Sequence, residues 1–348
     1  MHQSLLCDAF PRGFHNRYCE GRRPRAINAL SSVITKFIAT GEKSLRARAR
    51  LMVSSQRSGP AWFGGFVSFL VLLTLLTTTA RAQQPRRVHP QTVQFKSALI
   101  GKVLPYNALL PPGYFKSNKR YPVLYLLHGL FGHHDDWTTR TNLAEYAASY
   151  DLIIVTPEGN DSWYVDSASV PTDQYESYFL RELIPDVDAR YRTIKDRRAR
   201  GVAGLSMGGY GALKYGLKYR DYFAFAGSLS GALEPANRSE EHPGFAWEIL
   251  GPSLTAAFGS VNSRTRQVND LHQIARNFTA ADIASLPYLY FDCGLEDGFL
   301  ATNRDLAEIL LAKKIAHQYR QLPGGHDWQY WDRQVREILR VYADLTAR

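Results

Sequence analysis

Gly204-Leu205-Ser206-Met207-Gly208-Gly209 follows a short apolar run, Val202-Ala203, and leads into a helical-looking segment from Tyr210 to Lys218. A strand, a sharp turn with a serine at its tip and then a helix form the context in which G-x-S-x-G has mechanical meaning. Such a turn forces the serine into a strained backbone conformation and lifts its hydroxyl above the sheet edge. Gly204 and Gly208 stand where side chains would collide. The amide of Met207 opens the helix and is aimed at a developing oxyanion. Ser206 is therefore the candidate nucleophile. A neutral hydroxyl attacks poorly, so the rest of the chain must supply a base, an orienting acid and a second oxyanion donor.

Working outward, apolar runs alternate with helical patterns. Strands are expected at 94–99, 102–109, 121–127, 152–155, 202–203, 223–229, 288–292 and 318–322. Helices are expected at 141–150, 175–191 (with Pro185 bending or dividing it), 300–314 and 328–345. Residues 232–285 read as irregular. Continuous apolar strands such as Tyr121 to Leu127 mean coverage on both faces. The expected fold is α/β, with a mostly parallel central sheet and helices on both faces. Ligands of such sheets lie at the carboxyl ends of the strands. Those ends carry His128-Gly129, Ser206, Asp297 and His326 in turn.

The base is expected to be a histidine, the side chain that titrates near neutral pH. His326 follows the last strand behind two glycines, free to reach the serine. His317 begins that strand at its opposite end, His242 and His272 read as surface residues, and His128 reads as a packing residue in an oxyanion loop. The acid is expected between serine and histidine in chain order. Asp297 is preferred there over its neighbour Glu296, with an N-cap of the Leu300 helix as the alternative role. The amides of Met207 and Leu130 would form the oxyanion hole. Trp163 and Tyr164 follow another strand end, where they either wall a substrate pocket or pack in the core. His133-His134-Asp135-Asp136 is rich in ligand types, but consecutive loop residues seldom converge on one ion, so neither a metal nor another cofactor is expected.

The chain has 348 residues and a net charge of +10. Residues 1–51 hold ten Lys/Arg and three acids, and residues 52–82 add Arg57 and Arg81. From Gln83 onward there are 30 Lys/Arg and 29 Asp/Glu. The basicity belongs to the first 82 residues, and the body makes no electrostatic case for nucleic acid. Phe66 to Leu76 is an eleven-residue apolar run followed by Ala80-Arg81-Ala82. That is short for a membrane span and fits the h-region and A-x-A cleavage site of a signal peptide. The expected organisation is a non-structural extension at 1–51, a signal peptide at 52–82 starting from Met52, and one catalytic domain at 83–348. Export to the periplasm or medium, with cleavage after Ala82, follows from it. Membrane contact is expected only through the signal segment. Cys7 and Cys19 would be removed, leaving Cys293 alone and no internal disulfide.

The ordered set of motifs resembles the esterase D / putative esterase family of α/β-hydrolases. The matching pieces are Leu127-His128-Gly129 with Asp136-Trp137, Ser162-Trp163-Tyr164, Glu182-Leu-Ile-Pro185, Gly204 to Ala212, Asp292-Cys293-Gly294 with Asp297, and Gly324-Gly325-His326-Asp327-Trp328. The family's serine, acid and histidine map onto Ser206, Asp297 and His326. The resemblance implies a serine carboxylic-ester hydrolase acting on small-molecule or glycan-linked esters, of feruloyl, acetyl or siderophore type. Mycolyltransferase-like acyl transfer and S-formylglutathione hydrolysis are the enzymatic alternatives, and a catalytically silent binding module is the third. The acyl and alcohol parts and the oligomeric state stay open.

Overall fold

The computed structural model describes residues 88–347 apart from 245. The expected extension at 1–51 and signal peptide at 52–82 lie outside the described residues. Eight strands form one sheet: β1 Pro90–Lys96, β2 Val103–Leu109, β3 Val123–Leu127, β4 Ile153–Pro157, β5 Arg200–Leu205, β6 Phe225–Leu229, β7 Tyr288–Gly294 and β8 His317–Leu322. Their order across the sheet is β1-β2-β4-β3-β5-β6-β7-β8. β1 pairs antiparallel with β2, and β2 with β4. The remaining pairs are parallel, so the expectation of a mostly parallel sheet holds.

β1 ends earlier than the apolar pattern suggested. The amides of Ala98 and Leu99 donate to the Glu182 carboxylate instead of to a ladder, and Gly101, at φ 73°, turns the chain back. In β3 all five residues are buried, and they alternate between two cores. Val123, Tyr125 and Leu127 face one, and Leu124 and Leu126 the other. Each such side chain contributes about 1.5–3 kcal/mol by leaving water.

The first core is roofed by the helices that follow β4, β5 and β7, together with an inserted group of helices. Helix α1 runs Tyr175–Tyr178, a π-helical turn Phe179–Leu183, and Ile184–Arg190. Pro185 sits in the first turn of the last piece, where a missing N–H costs little. Helix α2 is Met207–Lys218. The section read as irregular is in fact mostly helical: α3 Trp247–Phe258, α4 Arg264–Asn269, α5 Leu271–Asn277 and α6 Ala280–Ala284. Three of these have five to seven residues and hang on side-chain caps from Ser263, Asp270 and Thr279. Pro252 lies inside the fourth. His272, expected on the surface, is buried on α5 and faces Glu234 at 3.7 Å. Helix α7 is Leu300–Ala312.

The second core is covered by α8, Trp328–Thr346, and by the short helices after β3. The Tyr342 hydroxyl of α8 lies 2.8 Å from the carbonyl oxygens of Val123 in β3 and Ala199 just before β5, tying the helix to both strands. Among the described residues no helix is long and apolar enough to cross a membrane.

Candidate active site

Ser206 stands between β5 and α2 at φ 53°, ψ −117°, a conformation that L-residues avoid. Crowding forces the glycines around it. A Cβ on Gly204 would lie 2.5 Å from the Gly208 backbone, and one on Gly208 would lie 2.5 Å from the His128 carbonyl oxygen. The Ser206 amide donates to Leu229 O of the neighbouring strand, so the strained turn is tied to the sheet.

The structure brings the three residues selected from sequence together. His326 Nε2 lies 3.0 Å from Ser206 Oγ, and His326 Nδ1 lies 2.9 Å from Asp297 Oδ2. A carboxylate only accepts, so Nδ1 carries the proton and Nε2 presents its lone pair to the serine hydroxyl. The ring packs edge-on against Trp331 at 4.9 Å and beside Phe299 at 5.1 Å. The second oxygen of Asp297 accepts the Phe299 amide at 2.8 Å, so this residue also shapes the start of α7. Burial pushes the Asp297 carboxyl up. The hydrogen bond and charge of His326, with the Phe299 amide, outweigh that and hold it below the usual aspartate range.

Glu296, the alternative acid, does not reach the imidazole. Its carboxylate accepts the Gly324 amide at 2.6 Å, and its own amide donates to Gly324 O at 3.1 Å. It staples the loop that carries His326. Asp327, the next residue, caps α8 by accepting the Tyr330 amide. Cys293 is buried at the end of β7, and burial raises its thiol pKa strongly, which leaves it inert.

Met207 opens α2, so its N–H is among the four that a helix leaves without an internal partner. The Gly129 backbone approaches the nucleophile closely: a Cβ there would stand 3.4 Å from Ser206 Cβ. Leu130, expected from sequence to supply the second oxyanion amide, is the next residue. Phe131 follows at φ 59° with its ring exposed, and its amide donates to Asp161 Oδ1 at 2.7 Å. Asp161 and Glu158 were not singled out from sequence. The one signal was their place just past the carboxyl end of β4.

Of the two roles open to them at a strand end, Trp163 and Tyr164 take core packing and not the pocket wall. Both are buried at positive φ, 54° and 55°. Trp163 donates its ring N–H to Ser253 Oγ and packs against Tyr210 and Phe258. Tyr164 donates its hydroxyl to His128 O. Their neighbours Ser162 and Val165 instead reach a cleft of about 520 Å³. Phe131, Asp161, Ile249 and Pro252 also line it. Ser206 and His326 are not among its lining residues, so the cleft does not contain the nucleophile. His133 and His134 both face Glu158, each with Nδ1 at 3.4 Å.

Residues 97–342 match the family described as putative esterase. An esterase of Mycobacterium tuberculosis is 34% identical over 255 residues, 67% of this chain and 54% of the relative. The chain thus spans about half the length of that relative. An acetyl esterase of Caldicellulosiruptor saccharolyticus is 28% identical over 260 residues, covering 70% of this chain and 94% of that one. The solved structure of a ferulic acid esterase superposes with a TM-score of 0.62 at 26% identity, over 74% of this chain and 99% of the other. With the strand order, the serine turn and the family match in agreement, the chain has the α/β-hydrolase fold and belongs to the putative esterase family.

Proposed function

We propose that the protein is an exported serine esterase that cleaves carboxylic esters through an acyl-enzyme on Ser206. The observation that carries this reading is the continuous relay from Asp297 through His326 to Ser206, at 2.9 and 3.0 Å. His326 Nε2 takes the hydroxyl proton as Ser206 Oγ attacks the ester carbonyl carbon. The carbonyl oxygen becomes negative and is received by the amides of Met207 and Leu130, each such donor being worth on the order of 3 kcal/mol. The imidazolium, stabilised by the Asp297 carboxylate, then gives its proton to the departing alkoxide. Water, deprotonated by the same Nε2, attacks the acyl carbonyl; the acyl–Oγ bond then breaks, the acid leaves, and the imidazolium returns the proton to Ser206 Oγ.

The departing oxygen must lie within reach of Nε2, on the β7–β8 side of Ser206. The acyl group then projects across the oxyanion loop towards the cleft on the β4 side. Apolar surface from Phe131, Ile249 and Pro252, with the Asp161 and Asp173 carboxylates at its rim, suits an acyl group that carries hydroxyls. Likeness to a ferulic acid esterase and an acetyl esterase supports small aromatic or acetyl esters, free or glycan-linked. The apolar run Phe66 to Leu76 and the Ala80-Arg81-Ala82 site support export.

A serine-directed fluorophosphonate is expected to label protein beginning at Gln83 and to leave Ser206→Ala unlabelled. An unlabelled parent protein would remove the esterase reading and favour a binding module. Acyl-sugar exceeding free acid in a hydrolysis assay with competing sugar alcohol would convert the reading to acyl transfer. The native N-terminus is expected at Gln83 by mass spectrometry, and any peptide from residues 1–51 would contradict that.

A further inference from the structure

His128 is fully buried at the carboxyl end of β3, beside the candidate oxyanion loop but out of reach of a substrate. Two backbone groups address its ring. The Gly159 amide donates to Nε2 at 2.9 Å, and Nδ1 lies 2.7 Å from the Gly129 carbonyl oxygen. An amide N–H only donates, so it requires a lone pair on Nε2. A carbonyl only accepts, so it requires a proton on Nδ1. Both partners therefore select the same tautomer of a neutral imidazole. Glu158 Oε1 also stands 3.3 Å from Nε2. A proton at Nε2 would be shared with that carboxylate but would leave the Gly159 amide facing another donor. Glu158 already accepts the amides of Asn160 at 3.0 Å and His134 at 3.2 Å.

The carbonyl held by His128 belongs to the same peptide unit as the Leu130 N–H. That unit is planar and trans, so its N–H points opposite to its C=O. Gly129 O also accepts the Gly132 amide at 3.1 Å, and with two donors its direction is fixed. The Leu130 N–H is thereby turned the other way, in a segment whose preceding backbone lies against Ser206. The geometry points to His128 as a positioning residue: its Nδ1–H clamps the Gly129–Leu130 peptide so that the Leu130 amide faces the oxyanion before substrate arrives. This rests on the serine-esterase reading and on Leu130 as a donor.

The substitutions separate the two ends of the ring. His128→Asn keeps a donor near Nδ1 and loses the acceptor for Gly159. His128→Gln keeps an acceptor near Nε2 and loses the donor to Gly129. The expected result is a fall in kcat of about 100-fold in His128→Gln with KM within a few-fold of the parent, and recovery of most of that loss in His128→Asn. Affinity for a trifluoromethyl ketone, which forms a tetrahedral adduct on the serine, should fall in step with kcat/KM. Equal losses in both variants, or a loss confined to KM, would overturn the proposal. The tautomer is read independently in the unmodified protein by nitrogen NMR with labelled histidine, assigned through the backbone. Nδ1–H is expected, and Nε2–H would overturn the proposal even if neither variant folds. The two readings fail separately. Activity surviving in Ser206→Ala sinks the esterase mechanism. A dead Ser206→Ala beside a fully active His128→Gln sinks only the clamp.

Discussion

Two loops meet over Ser206, and they are held in opposite ways. The proposed oxyanion loop, residues 128–134, is anchored by buried polar groups. These are the His128 ring, the Glu158 carboxylate, and Trp137, whose ring N–H donates to Leu127 O. The histidine loop, residues 323–327, lies near the surface, held by Glu296 and by the Phe299 and Trp331 rings. The difference follows from the two tasks. An amide that stabilises developing charge works by already standing in place. An imidazole that serves the serine, the leaving group and water in turn needs an orienting partner and open space.

The largest expected break in this comparison is at the orienting partner. Asp297→Asn puts a donor opposite Nδ1 and favours the wrong tautomer of His326, with an expected loss of about ten-thousand-fold in kcat. Steady-state kinetics on a small aryl ester checks it, and a loss under tenfold would remove Asp297 from its role. Glu296→Ala is a smaller break. It frees the Gly324 amide and loosens only the histidine loop, for an expected loss of about tenfold in kcat, with little change in KM. Recovery in Glu296→Gln, which restores an acceptor, separates positioning from charge.

The smallest effects are in stability and have opposite signs on the two sides. Glu176 lies under the oxyanion side and accepts from Lys218 at 2.7 Å, and from Lys214 and Tyr219. Burial raises its pKa, but the two ammonium groups outweigh burial and hold it at about 2, against an ordinary 4.5. Its stabilisation is complete above pH 4.5 and is lost as pH falls towards 2. Asp292 lies behind the histidine side. Burial pushes it up to about 7, although the hydroxyls of Tyr330 and Tyr290 donate to it. The unfolded carboxyl ionises near 3.8 while the folded one stays protonated, so its stabilisation is complete below 3.8 and is lost as pH rises through 7. Thermal melts are expected to show a lower Tm at neutral pH and a shallower acid decline for Glu176→Gln. Asp292→Asn is expected to gain a few degrees over the parent above neutrality. The same slope in parent and variant would contradict either assignment.

The sheet was legible because β3 and residues 152–155 of the β4 region are continuous apolar runs and the chemistry sits just past strand ends. Ser206, Asp297 and His326 were legible because each occupies a turn at such an end with a glycine within two residues. The inserted helices were not. α4, α5 and α6 are too short to show periodicity, and Pro252 disguises α3. The role of Trp163 and Tyr164 stayed open because aromatic side chains beside a strand end fit either a pocket wall or the core. Their positive φ angles turn them inward, which spacing does not reveal. His272 and Glu158 were passed over for the same reason: burial of a polar side chain depends on partners distant in sequence, here Glu234 for the first and the 128–134 loop for the second.

The most direct test of acyl transfer through Ser206 is intact-protein mass spectrometry after rapid acid quench of a reaction with a slowly deacylating aryl ester. The expected result is a mass increase equal to the acyl group, mapped to the peptide containing Ser206 and missing from Ser206→Ala. Steady turnover with no adduct at any quench time, or an adduct on another residue with Ser206→Ala still active, would contradict it.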